Sequence, residues 1–192
     1  MYYLTLICIL AALIAGCSGT DTMRWREEVW LHDGKFIYVN RYAERLASGF
    51  PNSRRGGITS QELVYAPLQV KWTAKGTSEE TISFDIFNGV PYLAAIPNVP
   101  KADFCRGKPS GSYVAKYFTW QNGQKIEINR DSIPLDLMRL NVTGISQWGL
   151  DRSGDRSYIS WTAVRMDTGQ RPYGPPELLT EMFKERSWLV CK

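Results

Sequence analysis

Apolar and polar positions follow different rules in different parts of this chain. From Leu4 to Ala15 every residue but Thr5 is apolar, and the sequence then turns polar at Ser18-Gly19-Thr20-Asp21. A run of that length lies within the ~7–15 residues of a secretory h-region and below the ~20 residues of a spanning helix. Beyond residue 25 the dominant period is two, which predicts strands. Leu68, Val70, Trp72 and Ala74 alternate with Gln69, Lys71, Thr73 and Lys75, and Ile82, Phe84 and Ile86 alternate with Ser83 and Asp85. The short link Gly76-Thr77-Ser78-Glu79 predicts that these two strands pair.

Turn chemistry divides the rest. Residues 25–32 and 35–39 flank Asp33-Gly34, and residues 113–120 and 125–129 flank Gln121-Asn122-Gly123-Gln124, both signals for hairpins with two-residue turns. In the first hairpin that turn pairs Leu31 with Phe36, Val29 with Tyr38 and Trp30 with Ile37. Both faces would then be apolar, predicting a ribbon inside a covered sheet. Asn88-Gly89 turns into a strand over 90–96, placed at an edge by Pro91. Residues 40–47 have the spacing of two helical turns ending before Gly49, 50–59 read as an exposed loop, 98–112 as irregular chain, and 158–164 as the last strand. Near the end the period changes. After Pro175-Pro176, Leu178, Leu179, Met182 and Phe183 recur at helical spacing, with Glu177 and Glu181 early and Lys184 and Arg186 late, as a helix dipole favours. The expected fold is mainly β: a single antiparallel β-sandwich or open barrel with a C-terminal α-helix.

The apolar run closes on Leu13-Ile14-Ala15-Gly16-Cys17. This segment resembles the lipobox of bacterial lipoproteins. The resemblance implies cleavage between Gly16 and Cys17, and a diacylglycerol and an N-acyl chain on Cys17. It divides the chain into a signal peptide (1–16), a lipidated tether (17–24) and one β-rich domain (25–192). Ser18, where an Asp would retain the protein at the inner membrane, implies passage to the outer membrane, facing the periplasm. Met1-Tyr2-Tyr3 departs from the pattern, since signal peptides open with Lys or Arg. An uncleaved anchor, or a soluble chain whose first element is simply apolar, are the competing readings. The body, through Trp25-Arg26-Glu27-Glu28-Val29-Trp30-Leu31-His32-Asp33-Gly34, resembles small β-rich lipoproteins of Gram-negative bacteria.

Charge and cysteine usage refine this picture. The net charge of +4 falls entirely outside the first sixteen residues and is interspersed, with Arg54-Arg55 the one tight basic pair; nucleic acid, which needs a basic stripe, is not an expected partner. Export removes Cys8 and commits Cys17 to lipid, leaving Cys105 and Cys191 as an even pair in a compartment that favours disulfides. They could be bridged, or Cys105 could be a buried free thiol and Cys191 a frayed end.

Catalytic patterns are absent from the sequence. No Gly-x-Ser-x-Gly elbow, phosphate-binding loop or His-Glu-x-x-His occurs, and the single histidine, His32, flanks a turn. Asp167-Thr168-Gly169 has the composition of an aspartic-protease triplet but reads more simply as a turn, and 151–155 as a polar loop rather than a calcium site. No catalytic residue, metal ligand or cofactor is expected beyond the lipid. What stands out is aromatic content, with seven Trp, ten Tyr and seven Phe. Trp148, Tyr173 and Trp188 lie outside clear strands and are candidates to stack on a ligand. The functional expectation is a membrane-anchored, non-catalytic envelope protein that binds protein partners, in envelope assembly or surface exclusion. The alternatives are a glycan- or peptidoglycan-binding module using exposed aromatics, and a hydrolase whose site follows no known motif.

Overall fold

The computed structural model describes residues 20–46, 58–76, 78–142, 157–160 and 176–192. Its strands form two open sheets. The first contains β1 (Thr20–Trp30), β2 (Phe36–Leu46), β3 (Ile58–Tyr65), β4 (Val70–Lys75) and β9 (Tyr158–Ile159), in the order β4-β3-β2-β1-β9. The second contains β5 (Glu79–Phe87), β6 (Val90–Pro97), β7 (Lys116–Gln121) and β8 (Gln124–Ile128), in sequence order. The described residues also include two short α-helices, α1 (Lys101–Cys105) and α2 (Leu179–Glu185), and three single 3-10 turns. The expected β-sandwich with a C-terminal helix is therefore the observed fold. Among the described strands the departure from antiparallel order is β9, which lies parallel to β1.

Burial divides the molecule into three layers. Val29, Val39, Leu63, Val70 and Trp72 of the first sheet meet Phe84, Leu93, Phe118 and Trp120 of the second in one core. The far face of the second sheet, with Ala94 and Tyr117, is covered by Leu179, Met182 and Phe183 of α2 and by Leu135, Met138 and Leu140. Each sheet thus follows the period of two, but the second is covered on both faces except at its edge strand β8, which is exposed. The α2 helix starts two residues later than the sequence suggests; Leu178 is instead bridged to Arg139.

Several local expectations are corrected. The first hairpin slips by one residue: Trp30 faces Phe36, Val29 faces Ile37 and Glu28 faces Tyr38. Only Gly34 has positive φ, +83°, and Asp33 does not join it. Leu31 accepts from Gly34 N at 3.0 Å and donates to Lys35 O at 2.8 Å, which makes a three-residue loop with a bulge at glycine instead of a two-residue turn. The slip turns Phe36 and Tyr38 outward. The ribbon is therefore dry on one face only: Phe36 and Tyr38 are exposed, while Val29 and Val39 are buried. By contrast, Asn88-Gly89 and Asn122-Gly123 have positive φ at both positions, as the two-residue turn requires.

Residues 40–46 continue β2 and form no helix, because β1 and β3 offer hydrogen-bond partners on both sides. Strand β1 begins at Thr20, so the last part of the expected tether, 20–24, is paired with β2. Strands β4 and β5 belong to different sheets and do not pair. The chain changes sheet at Gly76, and the buried Gln61 on β3 pins this crossing by donating from Nε2 to Gly76 O at 3.0 Å and Glu79 O at 2.6 Å. Ile82 is the extra residue of a β-bulge between Thr81 and Ser83, so it packs on the helix side while Phe84 and Ile86 face the first sheet. Strand β6 is internal, not an edge; its ladder with β7 begins at Tyr92, one residue past Pro91, whose missing N–H is therefore harmless. The last expected strand is observed at Tyr158–Ile159, and residues 161–164 lie outside the described residues.

Cys105 and Cys191 form a disulfide, with Cα atoms 5.5 Å apart. It joins the end of α1 to the C-terminal segment, which also bonds back through Cys191 N to Ser112 O at 2.7 Å.

Candidate functional site

The outward face of β1 and β2 gathers large side chains that the sandwich core does not use. Alternation along β1 puts Arg24, Arg26, Glu28 and Trp30 on this face, and β2 contributes Phe36, Tyr38 and Tyr42. Pairing aligns Arg24 with Tyr42, Glu28 with Tyr38 and Trp30 with Phe36, so a polar or aromatic group meets an aromatic ring across the strands. The Arg26 guanidinium lies over the Tyr38 ring at 4.5 Å and that of Arg24 over Tyr42 at 5.6 Å. Trp30 and Phe36 are tilted against one another with centroids 5.0 Å apart.

Tyr38 donates its hydroxyl to Glu28 Oε1 at 3.4 Å, and Tyr158 of β9 approaches the same carboxylate, its ring centroid 6.4 Å from that of Tyr38. The Tyr158 phenol is pushed up to about 12, first by partial loss of water and then by its bond to the Glu28 carboxylate. It therefore stays a neutral donor across the physiological range. Beside this cluster a shallow groove of about 770 Å³ runs past Arg24, Arg26, Tyr42, Glu62, Val64 and Ser157. Glu62 is paired with Lys71 at 3.1 Å, but Arg24 and Arg26 have tyrosine rings beneath them and, among the described residues, no carboxylate partner. Phe36 and Tyr38 are each nearly half exposed. Aromatic rings that cost little entropy to hold, next to arginines with unused donors, are the side chains that dominate protein interfaces.

Below this face, inside the sandwich, sits a buried charge pair that shapes its floor. Arg41 Nη1 is 3.4 Å from Glu27 Oε2, both side chains are fully buried, and Trp25 Nε1 donates to the same oxygen at 3.3 Å. Burial lowers the Arg41 pKa, while the charges of Glu27 and Glu80 oppose that fall.

Of the residues singled out in the sequence as ligand-stacking, Trp188 is 62% exposed in the turn after α2. It borders a cleft of about 540 Å³ shared with Glu79, Glu80, Val99 and Lys101. Trp148, Tyr173 and Asp167, like Cys17 and the Gly16-Cys17 junction, lie outside the described residues. His32 is not a solvated turn residue. Its backbone N–H donates to Asp85 Oδ2 at 2.9 Å, its Nδ1 is 2.9 Å from Oδ1, and its ring stacks on Phe87 at 4.1 Å. It clasps the first hairpin to the edge of the second sheet. Among the described residues no three His, Cys, Asp or Glu side chains are grouped to hold a metal, and no helix is long and apolar enough to cross a membrane.

Sequence reasoning missed the outer aromatic face because the slipped register had put Tyr38 beside Val29, toward the core. The signal that could have found it is the alternation Arg24-x-Arg26-x-Glu28 against Tyr38-x-Asn40-x-Tyr42. No protein-family model, curated protein or solved structure matches this chain.

Proposed function

We propose that this protein is a lipid-anchored component of the bacterial envelope, held at the outer membrane through Cys17, that acts non-catalytically by binding another protein on the outer face of β1 and β2. The observation that carries the binding surface is the row of Arg24, Arg26, Tyr38, Tyr42 and Tyr158 beside a groove of about 770 Å³. Two guanidiniums without carboxylates favour a partner that brings its own acidic or carbonyl groups, and exposed tyrosines supply contact area at low entropic cost. The Cys105–Cys191 disulfide supports the extracytoplasmic half of the reading, since such bonds persist where thiols are not kept reduced. The apolar run ending at Gly16-Cys17 supports the anchor.

A photo-crosslinking residue placed at Tyr38 in growing cells tests the surface. It should capture one defined envelope protein, and the product should vanish when Arg24 and Arg26 are both changed to Glu. The same probe at exposed Lys125, on the second sheet, should capture nothing. Equal products from both positions, or a product indifferent to the arginine changes, would refute the assignment.

A further inference from the structure

The cleft beside Trp188 shares no lining residue with the groove on the outer face. It opens where the crossing from β4 to β5, the end of β6 and the C-terminal turn converge, and its volume of about 540 Å³ suits one or two sugar rings. Three features define what it could take.

The first is the indole. Trp188 is 62% exposed, yet its backbone is fixed. Leu189 N donates to Arg186 O at 2.8 Å, Leu189 O accepts from Val114 N at 2.7 Å, and Leu189 itself is buried. The disulfide at Cys191 holds the same segment. An aromatic plane presented in this way costs little ordering entropy when a ligand stacks on it.

The second is an unused acceptor. Gln61, which lines the cleft and is 2% exposed, spends its Nε2 on Gly76 O and Glu79 O and leaves its buried Oε1 without a partner among the described residues. A buried acceptor with no donor is costly, and a ligand N–H or O–H that reaches it recovers that cost. Lys101 on the rim adds donors, and Glu80 adds an acceptor.

The third is an apolar wall. Ile96, Val99 and Val114 line the same cleft, and Val99 is nearly half exposed. A plain hexose would turn hydroxyls toward these side chains. An acetamido group would turn a methyl toward them and offer an amide N–H as well.

We propose that this cleft binds an N-acetylated amino sugar, stacked on Trp188, with its acetamido group directed between the apolar wall and Gln61.

Calorimetric titration of the native protein in detergent with triacetylchitotriose and with cellotriose tests this, since the two trisaccharides share a backbone and differ at the acetamido position. Saturable binding of triacetylchitotriose, about tenfold or more tighter than cellotriose, is expected. Trp188→Ala should weaken it by about tenfold or more, and Val99→Glu, which puts a charge in the apolar wall, should do the same, both with the thermal midpoint unchanged. The Arg24→Glu, Arg26→Glu double variant should bind the sugar normally, which separates this site from the protein-binding face. No saturable binding, equal affinity for the two sugars, or binding undiminished in either cleft variant would overturn the proposal.

Discussion

Asn141 pairs with Phe84 as a neighbouring strand would. Its Oδ1 accepts the Phe84 N–H at 2.9 Å and its Nδ2 donates to Phe84 O at 2.8 Å, while the second Nδ2 proton goes to Trp30 O at 2.7 Å. Phe84 lies on β5, the edge of the second sheet, where backbone groups would otherwise face an open ladder. One fully buried amide thus closes that edge and ties it to the end of β1.

Replacing Asn141 by Leu keeps the approximate volume but removes the partner of the buried Phe84 N–H and C=O and of the part-buried Trp30 O. The expected loss is about 3 kcal/mol or more, at 1–3 kcal/mol per unsatisfied group with partial relaxation. Asn141→Asp should be nearly as harmful, because a carboxylate cannot donate to Trp30 O and Phe84 O. Urea unfolding followed by tryptophan fluorescence measures both; a loss below about 1 kcal/mol would show that the amide is not what closes the edge.

His32 and Asp85 make the second tie between the sheets, and it responds to pH. Burial holds the Asp85 carboxyl above the usual range, although its bonds from His32 and Ile86 pull the other way. The folded state therefore keeps this proton at a pH where the unfolded chain has released it. Between the ordinary carboxylate value and the raised native one, the native state binds more protons, so this group's contribution to stability falls as pH rises through that window. Asp85→Asn removes the titration and keeps an acceptor for one of the His32 and Ile86 backbone N–H groups, which meet different oxygens of Asp85; that fixed loss does not vary with pH. The difference in thermal midpoint, variant minus wild type, should grow as pH is raised from about 4 to about 7. A difference independent of pH would exclude Asp85 as the source.

The disulfide closes a loop of 86 residues, for which the chain-entropy model gives about 4–5 kcal/mol. Reduction, or the double change of Cys105 and Cys191 to Ser, should lower stability by that order. Because Cys191 N also bonds to Ser112 O, loss should begin at the C-terminal segment. Hydrogen exchange at Leu189 and Cys191 rising before exchange in β6 would show this order; simultaneous exchange would contradict it.

Legibility in the sequence followed the physical signals each element carries. The Asn88-Gly89 and Asn122-Gly123 hairpins could be read because both residues adopt the left-handed conformation those types tolerate, and α2 because Leu179, Met182 and Phe183 repeat at helical spacing. Strand β3 carries no hydrophobic alternation, since its inward residue at 61 is a glutamine whose task is to bond the crossing at Gly76. The second half of β2, from residue 40, read as helix because Arg41 and Arg45 occupy core positions, and a pattern of charges does not announce burial. The Asp33-Gly34 turn was legible as a turn but not as a bulged one, and that single residue of slip concealed the outer tyrosines. Trp188 was legible as an aromatic outside any strand; the cleft beside it was not, because it joins residues from 61 to 189.

The lipid anchor is the premise on which location, partner access and the fate of the cysteines all depend, and intact-mass spectrometry of the protein purified from its native membrane tests it most directly. The account predicts a polypeptide beginning at Cys17, heavier than residues 17–192 by one diacylglycerol and one acyl chain. A mass matching residues 1–192, or an unmodified Cys17, would contradict it.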